Sequence, residues 1–129
     1  MAIAKLLKVL VVDDTSVSRM MLIDGLNQLG ITNVTVAMDG EQGLKQMMAT
    51  PSHLILSDFN MPKLDGLQFL KAIREYAPTK NVGFILVTGR GDKEMIMKGR
   101  ALGLNNYLPK PFTVPVLKST LEAVVGPLS

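Results

Sequence analysis

Cysteine and tryptophan are absent from this 129-residue chain, aromatic residues make up 5% of it, and His53 is its one histidine. Without cysteine there is no disulfide to hold a loop-rich fold together. The first residues, Met1 to Lys8, are too short and too interrupted by Lys5 and Lys8 to serve as a secretory leader. Both absences favour the cytoplasm. No stretch approaches the roughly 20 consecutive apolar residues of a bilayer crossing, so a membrane-spanning role is excluded. Nor is there a Lys/Arg run or a basic stripe with interleaved aromatics. A net charge of +3 and a pI of 9.3 therefore do not indicate DNA or RNA as a partner. Linkers, low-complexity stretches and long repeats are missing too. The length suits one domain over residues 1–129 with no attached output domain, and a monomer is expected.

What is present is an alternation of two periodicities. Lys8 to Val12 is a solid apolar run that stops at Asp13 and Asp14, as a strand buried on both faces would. Thr15 or Ser16 can cap a helix carrying Val17, Met20, Met21, Leu22, Leu26 and Leu29 up to Gly30. Val34 to Met38 reads as a second strand, and Asp39 and Gly40 turn the chain. Leu44, Met47 and Met48 then give a helix its apolar side before Pro51. Leu54, Ile55, Leu56 and Ser57 run into Asp58, and the loop signals Pro62 and Gly66 follow. Leu67, Leu70, Ile73 and Arg74 fit a helix ending before Pro78, and Val82 to Val87 is a fourth strand running into Thr88 and Gly89. A helix over Asp92 to Leu102, a short strand at Asn106 to Leu108, and a helix from near Thr113 to Val125 complete the chain. Pro115 is tolerated in the first turn of that last helix.

Strands separated by helices imply an α/β fold: a doubly wound, five-stranded parallel sheet with helices on both faces. All strand carboxyl ends then share one edge, where open sheets of this kind keep their chemistry. Asp13, Asp14, Asp58, Thr88 and Lys110 collect there, each directly after an apolar run or beside the last short strand.

The chain resembles the receiver domains of two-component response regulators, in particular the single-domain chemotaxis (CheY-like) type. The resemblance rests on an ordered set of motifs: Val11, Val12, Asp13, Asp14 with Ser16 and Arg19; Ser57 to Pro62 with Leu64, Asp65 and Gly66; Val87 with Thr88; and Tyr107 with Lys110, Pro111 and Phe112. It implies the flavodoxin-like strand order 2-1-3-4-5 and a phosphoryl group accepted on Asp58 from a CheA-like histidine kinase. The protein would be a phosphoacceptor signalling protein and not an enzyme with turnover. Three carboxylates about 5 Å apart would repel by roughly 3 kcal/mol per pair at an effective dielectric near 20, so a cation is needed among them. Mg2+ suits hard oxygen donors. Asp13, Asp14 and Asp58 are the expected carboxylate sources, Asp13 either directly or through a water, and the resemblance adds the backbone carbonyl of Asn60. Lys110 offers a positive charge to the phosphoryl oxygens, pairs with Asp58 before phosphorylation, and by the resemblance precedes a cis bond to Pro111. Thr88 offers a hydroxyl, and Thr88 with Tyr107 is the implied switch pair. Asn60 and Arg90 occupy the positions that tune phosphoryl lifetime.

The output surface is expected on the fourth helix, fifth strand and fifth helix. Met97 and Ala101 can face the core, which turns Lys93, Ile96 and Arg100 outward beside Tyr107. Ile96, Arg100 and Tyr107 are thus the candidate partner contacts, and a chemotaxis type implies the flagellar motor switch as partner. Most of the nine methionines are expected to fill core gaps, with Met95 a candidate adaptable contact. His53 reads as a solvated residue at the start of the third strand, and the Gly89, Arg90, Gly91 triplet as a flexible loop. A phosphorelay intermediate or phosphate sink remains an alternative. An aspartate-nucleophile phosphatase fits less well, because Thr15 stands where it needs a second acid. A flavin-binding module fits less well too, because two acids after the first strand repel a flavin phosphate.

Overall fold

The computed structural model describes residues 3–89 and 93–128. Its strands are β1 (Lys8–Val12), β2 (Asn33–Ala37), β3 (Leu54–Asp58), β4 (Gly83–Thr88) and β5 (Asn106–Pro109). The helices are α1 (Ser16–Gln28), α2 (Gly40–Ala49), α3 (Gly66–Glu75), α4 (Lys93–Ala101) and α5 (Val114–Val125). All strand pairings are parallel, in the order β2-β1-β3-β4-β5, so every carboxyl end lies on one edge as expected.

The solid apolar runs of β1, β3 and β4 conceal a period of two. Val9, Val11, Leu54, Leu56, Ile85 and Val87 join Leu22 and Leu26 of α1 and Leu117 and Leu121 of α5 in one core. Leu10, Val12, Ile55, Phe84 and Leu86 point the other way, onto Met47 of α2, Phe69, Leu70 and Ile73 of α3, and Met95 of α4. Phe69 and Phe84 meet edge to face at 5.5 Å in this second core. The central strands are apolar throughout because both faces are covered. β2, at the edge, is not, and Val36 is exposed there.

Local chemistry sets the element ends. Gly30, at φ +84°, takes the left-handed conformation that ends the α1 turn at low steric cost. Asp65 caps α3 with a full capping box, accepting from the Gln68 N–H while Gln68 accepts from its own. Arg74 donates to the carbonyls of Lys80, Val82 and Gly103 and to Asn105 Oδ1, tying the end of α3 to the entries of β4 and β5.

Four expectations need correction. In α4 the buried residues are Met95 and Gly99; Met97 is 70% exposed and Ala101 is exposed too, so the core face is not Met97 and Ala101. Met95 is accordingly a core residue and not an adaptable surface contact. Met20, Met21, Met38, Met48 and Met97 are all at least half exposed, so most methionines do not fill the core; Met20 and Met21 share an exposed stripe of α1 with Val17. Thr15 stands at the N-cap of α1 but its side chain makes no capping hydrogen bond. Asp92, with the expected start of α4, lies outside the described residues, as do Arg90 and Gly91 of the triplet after β4.

Candidate functional site

Asp58 is the last residue of β3, and Asp13 and Asp14 directly follow β1 in the neighbouring position. The sheet register sets Val12 beside Ser57 and Asp58 beside Val87, which brings the ends of β1, β3 and β4 level. One carboxylate oxygen from each of Asp13, Asp14 and Asp58 lies within 4.8 Å of the others. Asp13 is fully buried, Asp58 nearly so, and Asp14 is exposed.

Lys110 reaches into this cluster from the end of β5. Its Nζ stands 3.3 Å from Asp58 Oδ1 and 3.5 Å from Asp13 Oδ2, so the expected pairing with Asp58 is present and extends to Asp13. The Lys110 backbone N–H donates to the Thr88 carbonyl at 2.9 Å, which aligns the lysine with the end of β4. The Lys110–Pro111 peptide is cis, as the resemblance implies. Burial pushes the Asp58 carboxyl above its ordinary value; the Lys110 ammonium pulls it down, Asp13 pushes it up again, and the balance is upward.

Backbone contacts hold Asp58 from behind. Its Oδ1 accepts from the Phe59 N–H at 2.9 Å, its carbonyl accepts from the Ser57 hydroxyl, and the Phe59 carbonyl accepts from the Gly66 N–H at 2.8 Å. A Cβ on Gly66 would fall 2.8 Å from the Asp58 carbonyl oxygen and 2.6 Å from Leu86 Cδ1, so the loop returns to β3 closer than any side chain allows.

Asp13 is held by residues that the motif did not single out for this task. Thr15 donates to Asp13 Oδ1 through its backbone N–H and through its hydroxyl, each at 3.0 Å, and Arg19 Nη1 donates to the Asp13 carbonyl at 2.8 Å. Asp13 Oδ2 is buried without a hydrogen-bond partner. A buried oxygen in that state, beside two further carboxylates, fits a hard divalent cation such as Mg2+.

The remaining candidates take separate places. Thr88 is buried at the end of β4, and Tyr107 is half-buried on β5, opposite Leu86 and packed against the second core. Asn60 is exposed just beyond Asp58. Ile96, half-buried, and Arg100, exposed, belong to the surface of α4 and not to the acid cluster, while Arg90 lies outside the described residues. His53 is exposed, and its Nδ1 accepts from the Lys8 N–H.

Residues 9–122 match the family model described as the response regulator receiver domain. The chain belongs to the response regulator receiver family. This receiver is 50% identical over 128 residues to a probable chemotaxis protein CheY of Rhizobium etli, covering 99% of each chain. Among solved structures it is similar to the chemotaxis protein CheY4 of Vibrio cholerae, with a TM-score of 0.85, 34% identity, and coverage of 92% of this chain and 98% of that one. A second similar structure is the receiver domain of the sensor histidine kinase PA1611 of Pseudomonas aeruginosa, with magnesium coordinated in its active-site cleft. There the TM-score is 0.84 and the identity 28%, over 93% of this chain and 98% of that one. The protein is a two-component response regulator of the CheY-like, chemotaxis type.

Proposed function

We propose that this receiver accepts a phosphoryl group on Asp58 from the phosphohistidine of a CheA-like kinase in the cytoplasm. The observation that carries the reading is the placing of Lys110 Nζ 3.3 Å from a carboxylate that is nearly buried at the end of β3. In the transfer, an Asp58 oxygen attacks phosphorus, an O–P bond forms, the P–N bond breaks, and the imidazole leaves with the bonding electrons. Lys110 stabilises charge on the phosphoryl oxygens as a mobile point charge, and the Thr88 hydroxyl donates to another of them. Asp13, Asp14, Asp58 and the Asn60 carbonyl would hold Mg2+, which when bound neutralises charge on the transferring group. Support for Mg2+ comes from the three clustered carboxylates, among them a buried Asp13 Oδ2 that accepts no hydrogen bond, and from the magnesium in the Pseudomonas aeruginosa receiver. The protein catalyses only its own phosphorylation and dephosphorylation, with Asn60 and Arg90 setting the lifetime.

Phosphorylation adds about 1.5 to 2 negative charges, and the response is a shift between two existing states of the α4, β5 and α5 face. Thr88 moves toward the phosphoryl group and the Tyr107 ring turns inward, altering the surface that includes Ile96 and Arg100. The partner is the flagellar motor switch, a reading supported by the 50% identity to a probable chemotaxis protein. The test is transfer from an autophosphorylated, radiolabelled chemotaxis kinase. Label moves to the parent protein and not to Asp58→Asn; label on both variants, or on neither, contradicts the proposal.

A further inference from the structure

We propose that Thr15 is a positioning residue for the divalent cation, its hydroxyl holding one oxygen of Asp13 so that the other stays turned toward the metal site. The inference rests on the reading of Asp13, Asp14 and Asp58 as a Mg2+ site.

Thr15 occupies the N-cap of α1 with extended backbone, φ −106° and ψ 132°. A threonine there ordinarily turns its oxygen to accept a hydrogen bond from an amide of the first helical turn. Thr113 does so at α5, and Asp39 and Asp65 do so at α2 and α3. Thr15 makes no such bond. Its hydroxyl is turned back to donate to Asp13 Oδ1 at 3.0 Å, and its N–H donates to the same oxygen at 3.0 Å.

Both donors fall on one oxygen, so the two oxygens of Asp13 are not equivalent. Oδ1 accepts two hydrogen bonds, whereas Oδ2 is buried, accepts none, and is left with only the ion pair to Lys110 Nζ at 3.5 Å. The last torsion of an aspartate is broad and two-fold, so an unanchored carboxylate can turn either oxygen toward a cation. The Thr15 hydroxyl removes that freedom, and Arg19 fixes the backbone beneath it by donating to the Asp13 carbonyl at 2.8 Å. Outer-shell partners of this kind typically change metal affinity 10- to 100-fold. Since the N–H remains when the hydroxyl is removed, the low end of that range is expected.

The experiment follows amide chemical shifts of the acid cluster against MgCl2 at constant ionic strength, for the parent, Thr15→Val and Thr15→Ser. Metal-free thermal unfolding is recorded in parallel. Because the hydroxyl does not cap α1, Thr15→Val keeps a metal-free Tm close to that of the parent. Its Mg2+ dissociation constant rises about tenfold, and Thr15→Ser, which restores a hydroxyl, returns to the parental value. Equal affinity in all three proteins overturns the positioning role while leaving the Mg2+ site intact. Equal weakening in Thr15→Ser and Thr15→Val overturns it as well. Absence of any saturable shift in the parent contradicts the Mg2+ site itself, and the inference with it.

Discussion

At Asp58 burial and charge pull in opposite directions, and burial wins: the folded carboxyl sits above its ordinary value of 3.8 despite Lys110. A carboxyl raised in the folded state favours folding while both states are protonated. That contribution is lost as pH rises through the folded value, because the unfolded chain ionises first. At pH 7, where the unfolded carboxyl is ionised, Asp58 therefore weakens the metal-free fold. Asp58→Asn should raise the metal-free Tm at pH 7, with the gap closing as pH falls toward 3.8; an equal or lower Tm at pH 7 contradicts this. The acids and Lys110 were legible in the sequence because each abuts an apolar run or short strand, so topology alone carries them to one edge. The direction of the Thr15 hydroxyl was not, since a threonine at a helix start ordinarily caps it. Nor was the Arg74 clamp, whose contacts with Gly103 and Asn105 span 29 and 31 residues.

Among the elements, α4 shows where periodicity runs out. Met95, Ile96 and Met97 are consecutive apolar residues, so hydrophobicity alone cannot choose the buried face. Gly99 chooses it: a Cβ there would lie 2.9 Å from Leu104 Cδ2, so the helix approaches its neighbours most closely on that side, and Met95 lies one turn earlier on the same face. Met95→Ala should cost about 2 to 3 kcal/mol in denaturant unfolding, and Met97→Ala no more than about 0.5. The reverse ranking would contradict this face assignment. At the start of α3, Gly66→Ala forces a Cβ against the Asp58 carbonyl and Leu86. It should destabilise by about 1 to 3 kcal/mol, an overpacking cost. A parental unfolding midpoint would show that the loop can retreat from β3 without penalty.

Over the whole molecule, the alternation of strand and helix was enough for the parallel sheet and for the edge that gathers the acids. It worked because β1, β3 and β4 are covered on both faces and therefore read as unbroken apolar runs. It served α1 poorly, where Val17, Met20 and Met21 are apolar yet exposed, and such side chains carry no sequence mark of their surroundings. The sheet divides the molecule into two cores: Tyr107 packs on the second, with α3 and α4, while α1 and α5 cover the first. The proposed switch runs from Asp58 to α4 by way of β4 and β5, the strands that lie beyond β3 in the sheet. Under phosphorylating conditions, the Tyr107 ring should change its rotamer population and solvent exposure; a single unchanged rotamer contradicts the switch. All of this depends on Asp58 being the acceptor. The most direct measurement is the intact mass of the protein after incubation with acetyl phosphate, with Mg2+ and with EDTA in its place. The account predicts a gain of one phosphoryl group in the parent with Mg2+, none with EDTA and none in Asp58→Asn. No gain in the parent, or the same gain in Asp58→Asn, would contradict it.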